Sequence, residues 1–247
     1  VGAFSTPGDL GIGTGWWARL WRWLSSGEEV RLVHPAGVKV GADGEIWVVD
    51  TAARVVHAFS PERRSYRRIA GTPEEPLLGP IDVALGPEGR IYVTDSLRGR
   101  VLCYDGGLGF GGALGANVLQ RPTGIACDPG TGTVYVVDTL QGRIAAFEAG
   151  GRFKGWIARP GGGPGELHFP TYITLGAGGD LYVTDSLNFR VQALGPDGEP
   201  RGALGALGDG PGAFSKPKGV AVDADGHVYV VDSLFDNVQV FDPGGQL

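Results

Sequence analysis

The sequence predicts an all-β protein, a β-propeller made of four-stranded antiparallel blades. An Asp followed by Ser or Thr recurs at Asp50, Asp95, Asp138, Asp185 and Asp232, with spacings of 45, 43, 47 and 47 residues. Repeats of this period are typical of propeller blades. An aromatic residue stands three positions before each Asp, and a proline precedes each repeat. We therefore expect five readable modules of similar build.

Each module reads as short strands joined by turns. An apolar pair stands three and five residues after each proline, so both members lie on one face of the first strand. Glycine-containing turns such as Asp43-Gly44 lead to the second strand, which ends at the repeated Asp. Sheets this small bury little apolar surface alone, and packing around a common axis solves that problem. We expect blades at about 35–75, 80–116, 122–158, 170–207 and 217–247.

Composition agrees with a single turn-rich domain. The chain has 247 residues, 45 of them Gly, and a hydrophobic fraction of 42%. Its net charge of −6 argues against nucleic acid or an anionic membrane as the main partner. The chain begins at Val1 and contains no Met, so we expect a trimmed N-terminus. Cys103 and Cys127 occupy apolar positions of their repeats; we expect two buried free thiols, although a disulfide between neighbouring blades stays open.

The segments 217–242 and 121–148, with the linkers 161–170 and 208–217, resemble NHL repeats. The chain is particularly similar to a bacterial subgroup of exported NHL proteins, which often accompany surface redox proteins. The resemblance implies a location outside the cytoplasm: extracellular, at the cell surface or periplasmic. NHL propellers typically have six blades, whereas five modules are readable here. Three arrangements remain open: a six-bladed ring with one blade missing, a closed ring of five, or a gap filled by another chain.

A different segment precedes the repeats, at residues 1–29. Residues 1–4 resemble the GPGAF before the last repeat or a stray outer strand, so we expect a strand remnant there. Residues 15–29 place Trp16, Trp17, Leu20, Trp21 and Leu24 at helical spacing, which predicts a short amphipathic helix. One interpretation is a membrane-surface anchor through residues 16–24. The other is a lid packed on one end of the propeller, which the low basic count favours.

The topology sorts the loops onto two faces. The loops that enter each first strand and the turns between the second and third strands share one face, which we call the Asp face. It carries the repeated Asp and an Arg five residues later in three modules, at positions 100, 143 and 190. This pattern is either a charged binding ring or a structural cap in which the Asp holds its own turn and pairs with that Arg. Because it repeats, the structural interpretation is favoured, since a specific site should break the repeat.

The breaks in the repeat give the candidate site residues. The first strand lines the central channel, and four of its residues replace the usual Gly or Ala. We predict these as ligand contacts in the channel: Lys39, Asp82, Tyr172 and Thr174. Aromatic residues in two turns and an arginine-rich turn on the opposite face are the candidate protein interface: Phe189, Phe235, Arg63, Arg64, Arg67 and Arg68.

Catalysis is disfavoured by the same comparison of repeats. Some NHL-type propellers are lyases that hold zinc through a His after the first-strand proline, but this chain has Ala36, Ile81, Thr123, Thr171 and Lys218 there. We predict a non-enzymatic protein-interaction scaffold with no cofactor and no catalytic or metal-binding residue. It would bind further copies of itself or surface redox proteins, within a surface assembly or a homopolymer. The alternatives are a lyase or hydrolase with a channel site and, less favoured, RNA binding as in some animal NHL proteins.

Overall fold

The structure is a computed structural model that describes residues 31–247, and it confirms the predicted all-β propeller of five blades. The predicted strand remnant at 1–4 and the predicted helix at 15–29 lie outside the described residues. Each blade is an antiparallel sheet whose strands follow one another in chain order. The strands of the first three blades are β1 (Pro35–Val40), β2 (Ile46–Asp50), β3 (Val55–Ser60), β4 (Ser65–Ile69), β5 (Pro80–Leu85), β6 (Ile91–Asp95), β7 (Arg100–Tyr104), β8 (Phe110–Leu114), β9 (Pro122–Cys127), β10 (Val134–Asp138), β11 (Arg143–Phe147) and β12 (Phe153–Ile157).

The fourth and fifth blades follow after a small two-stranded parallel ladder in the connecting loop. The fifth blade contributes three strands in the described part of the chain, whereas the other four contribute four each. No helix within residues 31–247 has the length and apolarity that crossing a bilayer requires. The remaining strands are β13 (Arg159–Pro160), β14 (Glu166–Leu167), β15 (Pro170–Leu175), β16 (Leu181–Asp185), β17 (Arg190–Leu194), β18 (Pro200–Leu204), β19 (Pro217–Val222), β20 (Val228–Asp232) and β21 (Asn237–Phe241).

The hydrophobic core lies between blades. In the first of four such clusters, Trp47 and Val49 of blade 1 pack with Val83, Leu102 and Tyr104 of blade 2. The same arrangement recurs between each later pair of blades. Because side chains alternate across a strand, every blade offers one apolar face to the blade before it and one to the blade after it. This explains why the sequence carries apolar residues on both faces of its strands.

The inner strands pack in the order β1, β5, β9, β15, β19, but β1 and β19 do not pack together in this way. The outward faces of the first and fifth blades are correspondingly exposed. Val38 of β1 is 63% exposed, whereas its equivalent in blade 2, Val83, is fully buried. Val231 of β20 is 40% exposed, whereas its equivalent in blade 3, Val137, is fully buried. Within residues 31–247, the blade series therefore ends in two apolar faces that no further blade covers.

Candidate functional site

The repeated Asp is buried in every blade and holds the backbone of the Asp face. The carboxylate of Asp95 accepts hydrogen bonds from the backbone N–H groups of Leu78 (2.7 Å), Gly79 (2.9 Å) and Arg98 (3.2 Å). Asp138 and Asp232 accept the same set in their own blades. Each Asp thus ties the loop entering its first strand to the turn after its second strand. This geometry is that of the structural cap favoured by the repetition.

The predicted pairing of each Asp with the Arg five residues later is correct in one blade only. Arg190 contacts Asp185 at 2.9 Å. Arg100 instead pairs with Glu75 at 2.7 Å, and the guanidinium of Arg143 lies 5.8 Å from the ring centre of Trp156. The prediction is wrong for these two because a neighbouring loop or strand supplies a partner that the repeat pattern does not contain.

In blades 2, 3 and 4, the hydroxyl after the repeated Asp joins one blade to the next, whereas Thr51 of blade 1 donates within its own blade, to the carbonyl of His34 at 3.2 Å. Thr139 Oγ1 donates to the carbonyl of Pro170 at 2.7 Å, and Ser186 Oγ donates to that of Pro217 at 3.4 Å. Ser96 makes the equivalent bond to Pro122. In the fifth blade, Ser233 Oγ donates to the carbonyl of Lys216 in its own blade, at 3.2 Å. The ordinary acceptor is the proline carbonyl of a following blade.

Among the four channel candidates, Asp82 interacts electrostatically with Lys39 and with Tyr172. Asp82 is 2% exposed, and its carboxylate accepts the N–H groups of Val83 (2.9 Å) and of Ile125 in the next blade (3.1 Å). Burial raises the pKa of Asp82, and the charge of Lys39 opposes that shift. Burial and the Asp82 charge raise the pKa of Tyr172. The structure therefore brings together residues of blades 1, 2 and 4. Thr174 is half-buried on the same strand as Tyr172.

A depression of about 370 Å³ lies at the other end of the axis, between hairpins of blades 3, 4 and 5. Its lining includes Cys127 and Asp128 of blade 3, Leu175 of blade 4 and Asp223 of blade 5. The sequence reasoning did not select this group because three separate repeats contribute to it. Asp223, Asp225 and His227 are, within residues 31–247, a group whose potential metal-ligand atoms lie within 4.8 Å of one another. However, the Asp223 carboxylate already accepts bonds from the Tyr229 hydroxyl (3.0 Å) and the His227 backbone N–H (2.8 Å). These hydrogen bonds explain the position of Asp223 as a turn residue, without a metal ion.

The candidate interface residues differ in their exposure and in the contacts that they already make. Phe235 is exposed and Phe189 half-buried, both in turns of the Asp face. Arg67 makes two bonds to the Glu45 carboxylate (2.8 and 2.9 Å) and one to the carbonyl of Gly106 in blade 2 (2.7 Å). It therefore joins two blades. Arg63 forms an exposed ion pair with Asp43 at 3.5 Å. For Arg64 and Arg68, the described part of the chain offers no ion-pair partner within 4.0 Å.

Four exposed leucines form a feature of the Asp face that the sequence reasoning missed. Leu97, Leu140, Leu187 and Leu234 each stand two residues after the repeated Asp and are between 47% and 74% exposed. We call this set the leucine arc. The signal was present in the sequence as a leucine recurring at one repeat position. Only the structure shows that this position faces solvent rather than the core.

Three cations lie close to this arc, around the entrance of the channel. Arg121 and Lys216 each precede a first-strand proline, and Lys218 follows one. Burial, Lys216 and Arg121 all lower the pKa of Lys218, so the three charges lie near one another. Arg121 contacts the ring of Phe169 at 5.7 Å. Within the described residues none of these three cations has a carboxylate within ion-pair distance. We call them the cationic mouth.

Comparison with known proteins agrees with this architecture. The NHL repeat family model matches residues 77–104 and 214–241. A search of curated protein sequences finds no match. Similar solved structures include virginiamycin B lyase from Staphylococcus aureus, with 16% identity, a TM-score of 0.67, and coverage of 88% of this chain and 69% of that one.

A streptogramin B lyase has 18% identity and a TM-score of 0.67, over 86% of this chain and 66% of that chain. A chain of the nidogen–laminin complex has 20% identity and a TM-score of 0.69, over 85% and 76% respectively. At these identities the likeness shows the fold alone. The neighbours include both enzymes and a protein complex.

Proposed function

The chain carries NHL repeats in a five-bladed propeller, and we propose that this protein is a non-enzymatic protein-interaction scaffold. Its place of action is outside the cytoplasm, extracellular, at the cell surface or periplasmic, as the resemblance to exported NHL proteins suggests. It serves there as a subunit of a surface assembly or a homopolymer. Its partners are further copies of itself or surface redox proteins.

The observation that supports this proposal is the pair of uncovered blade faces. Blade 5 exposes Tyr229, Val231 and Val238 on the side that every other blade turns toward its successor. Blade 1 exposes Val38 and Val40 on the side that every other blade turns toward its predecessor. The two faces are therefore the two halves of the interface that already joins the blades. One copy can bind another head to tail through them, and contacts of this type build rings or filaments.

The edge of the fifth blade supports the same function. β21 has β20 as a neighbour on one side, and the other four blades have a further strand at this position. An unpaired strand edge offers backbone N–H and C=O groups to another chain. Within residues 31–247, apolar faces and a strand edge without a neighbour occur at one place, which is typical of an assembly surface.

The test is the mass of the purified full chain in solution, measured by light scattering over a range of concentrations. We expect oligomers that grow with concentration. The double variant Val231→Arg/Val238→Arg introduces two charges into the blade 5 face and should give monomers. Leu207→Arg, an exposed apolar position outside both faces, is the matched control and should leave the oligomers unchanged.

Two results would overturn the proposal. One is a monomer at every concentration, combined with no binding of any candidate protein partner. The other is oligomerisation that the double variant leaves intact, because the blade faces would then not be the contact. Circular dichroism of each variant confirms that the propeller is still folded.

A second candidate function is a propeller lyase or hydrolase with a site in the central channel. The observation that favours it is that the buried Asp82 interacts electrostatically with the half-buried Lys39 and Tyr172. Two structural neighbours are streptogramin-type lyases, and one was crystallised with quinupristin. Incubation with quinupristin, followed by mass spectrometry, tests this activity. Turnover that is lost in Asp82→Asn supports the enzyme, and an unchanged substrate excludes that reaction.

A further inference from the structure

We propose that the Asp face docks an acidic segment of a partner protein, with carboxylates on the cationic mouth and apolar side chains on the leucine arc. This inference rests on the proposed scaffold function and deepens it by naming a surface and the chemistry of its partner. It concerns a different surface from the uncovered blade faces.

The leucine arc is held firmly although it faces solvent. The residue before each leucine is tied by its backbone N–H to the loop entering the first strand: Ser96 to Gly79 (2.9 Å), Thr139 to Arg121 (3.1 Å) and Ser233 to Lys216 (3.0 Å). In blade 4, Leu187 itself donates to the carbonyl of His168 at 3.1 Å. The side chain of Leu97 covers Gly79, where an added Cβ would lie 2.7 Å from its Cγ. The arc is therefore a fixed surface beside the channel entrance.

The turn does not require a leucine at this position. The equivalent residue of blade 1 is Ala52, which is exposed in the same turn, and the turn still forms through the bond from the Ala53 N–H to Asp50 (2.9 Å). A single exposed leucine needs no explanation, but four at one repeat position on one face make an apolar patch of the kind found at binding sites.

The charges beside the arc select the partner. The backbone bonds above place Leu140 next to Arg121 and Leu234 next to Lys216. These cations and Lys218 stand out on a chain whose net charge is −6. Partial burial, together with the neighbouring charges of Lys216 and Arg121, disfavours the charged form of Lys218 in the free protein. An approaching carboxylate relieves the repulsion among these charges, so the surface favours an acidic ligand.

The partner chemistry is that of protein rather than of RNA. RNA recognition relies on aromatic platforms that stack bases and on long basic tracks. Here the exposed apolar surface is mainly leucine, and the ring of Phe169 is already in contact with Arg121. Phe235, which follows Leu234, adds one exposed aromatic ring. Leucine, phenylalanine and glutamate or aspartate side chains of a protein segment match both parts of the surface.

The experiment selects binding peptides from a display library of short random peptides, using the full chain as bait. Enriched peptides are then measured by fluorescence anisotropy. We expect them to combine Asp or Glu with Leu or Phe. We also expect affinity to fall about tenfold with Arg121→Gln/Lys216→Gln/Lys218→Gln, and by a similar factor with Leu140→Ser/Leu187→Ser. Added salt should weaken the contribution of the three cations and leave that of the leucines unchanged.

A matched control makes the same change of charge at three exposed cations on or beside the outer strands of blades 3 and 4, away from the Asp face: Arg152→Gln/Lys154→Gln/Arg201→Gln. It should leave binding unchanged, and thermal melting checks that all variants fold. The inference is overturned if no peptide is enriched, if the selected peptides lack acidic residues, or if both Asp-face variants bind as well as wild type. Tight binding of a uridine oligonucleotide that displaces the peptides would likewise overturn it in favour of RNA.

The outcome separates this inference from the scaffold function. Oligomers that depend on the blade 5 face, together with no peptide binding, contradict the docking site alone. Monomers, no peptide binding and no protein partner contradict both.

Discussion

Replacing Asp138 with Ala should destabilise the propeller strongly, because this carboxylate organises the middle blade. It is fully buried and accepts the backbone N–H groups of Gln120 (2.6 Å), Arg121 (3.2 Å) and Gln141 (3.2 Å). A buried donor left without an acceptor costs about 1–3 kcal/mol. Water reaches part of this face, so we expect the free energy of unfolding to fall by about 3–5 kcal/mol. Asp138→Asn keeps one acceptor oxygen and should lose about half as much.

The assay is equilibrium unfolding of the full chain in guanidinium chloride. Asp105→Ala is the matched control, because its carboxylate also accepts two backbone N–H groups, from Gly107 (2.8 Å) and Gly109 (2.9 Å), but in an exposed turn. The control should lose about 1 kcal/mol or less. Equal losses for Asp138→Ala and Asp105→Ala would refute the reasoning, because they would mean that the repeated Asp does not support the fold.

Three further predictions concern the core, pH and the thiols. An added Cβ on Gly124 would lie 2.6 Å from Tyr172 Cα. Gly124→Ala should therefore lower the free energy of unfolding by about 2–3 kcal/mol. Gly178 has open space around it, so Gly178→Ala should change the free energy of unfolding little. Burial raises the pKa of Asp50 and Asp232, but backbone N–H donors outweigh it and hold both below 3.8. The two carboxylates therefore stabilise the fold fully above about pH 4, and this stabilisation is lost as the pH falls through their folded pKa. We expect the denaturant midpoint to drop on acidification, and to drop less in Asp232→Asn than in the wild type. An equal drop in the two proteins would contradict this. Burial raises the pKa of Cys103 to about 12 and of Cys127 to about 11, so iodoacetamide at neutral pH should label neither thiol before unfolding; rapid labelling of native protein would show that they are accessible.

The repeat pattern predicted more of the fold than of the surfaces. Prolines, paired apolar residues and the recurring Asp predicted the blades, and the structure places a first strand at each proline and ends each second strand at an Asp. These features are local or periodic, so they can be read without knowing which blades touch. The partners of Arg67, Arg100 and Arg143 depend on neighbouring blades and loops, and the repeat could not supply them.

The candidate sites show the same limit. Lys39, Asp82 and Tyr172 were chosen because they break the repeat, and the structure does bring them near one another. The sequence placed Asp82 in an open channel, but its carboxylate is buried between β5 and β9. The leucine arc obeys the repeat, and Arg121 and Lys216 lie in loops, so a search for irregular first-strand positions passed over them. Lys218 of β19 was considered only as a position that lacks a zinc-binding His.

The sequence by itself determined the architecture of this protein, because side-chain alternation and turn chemistry repeat often enough to specify each blade. Tertiary structure alone decided which apolar residues are covered. Val38 and Val83 look alike in the chain, yet one faces solvent and the other lies in the core. The physical reason is that burial in a propeller depends on pairs of blades, and in the part of the chain that the structure describes the first and last blades have a neighbouring blade on one side only.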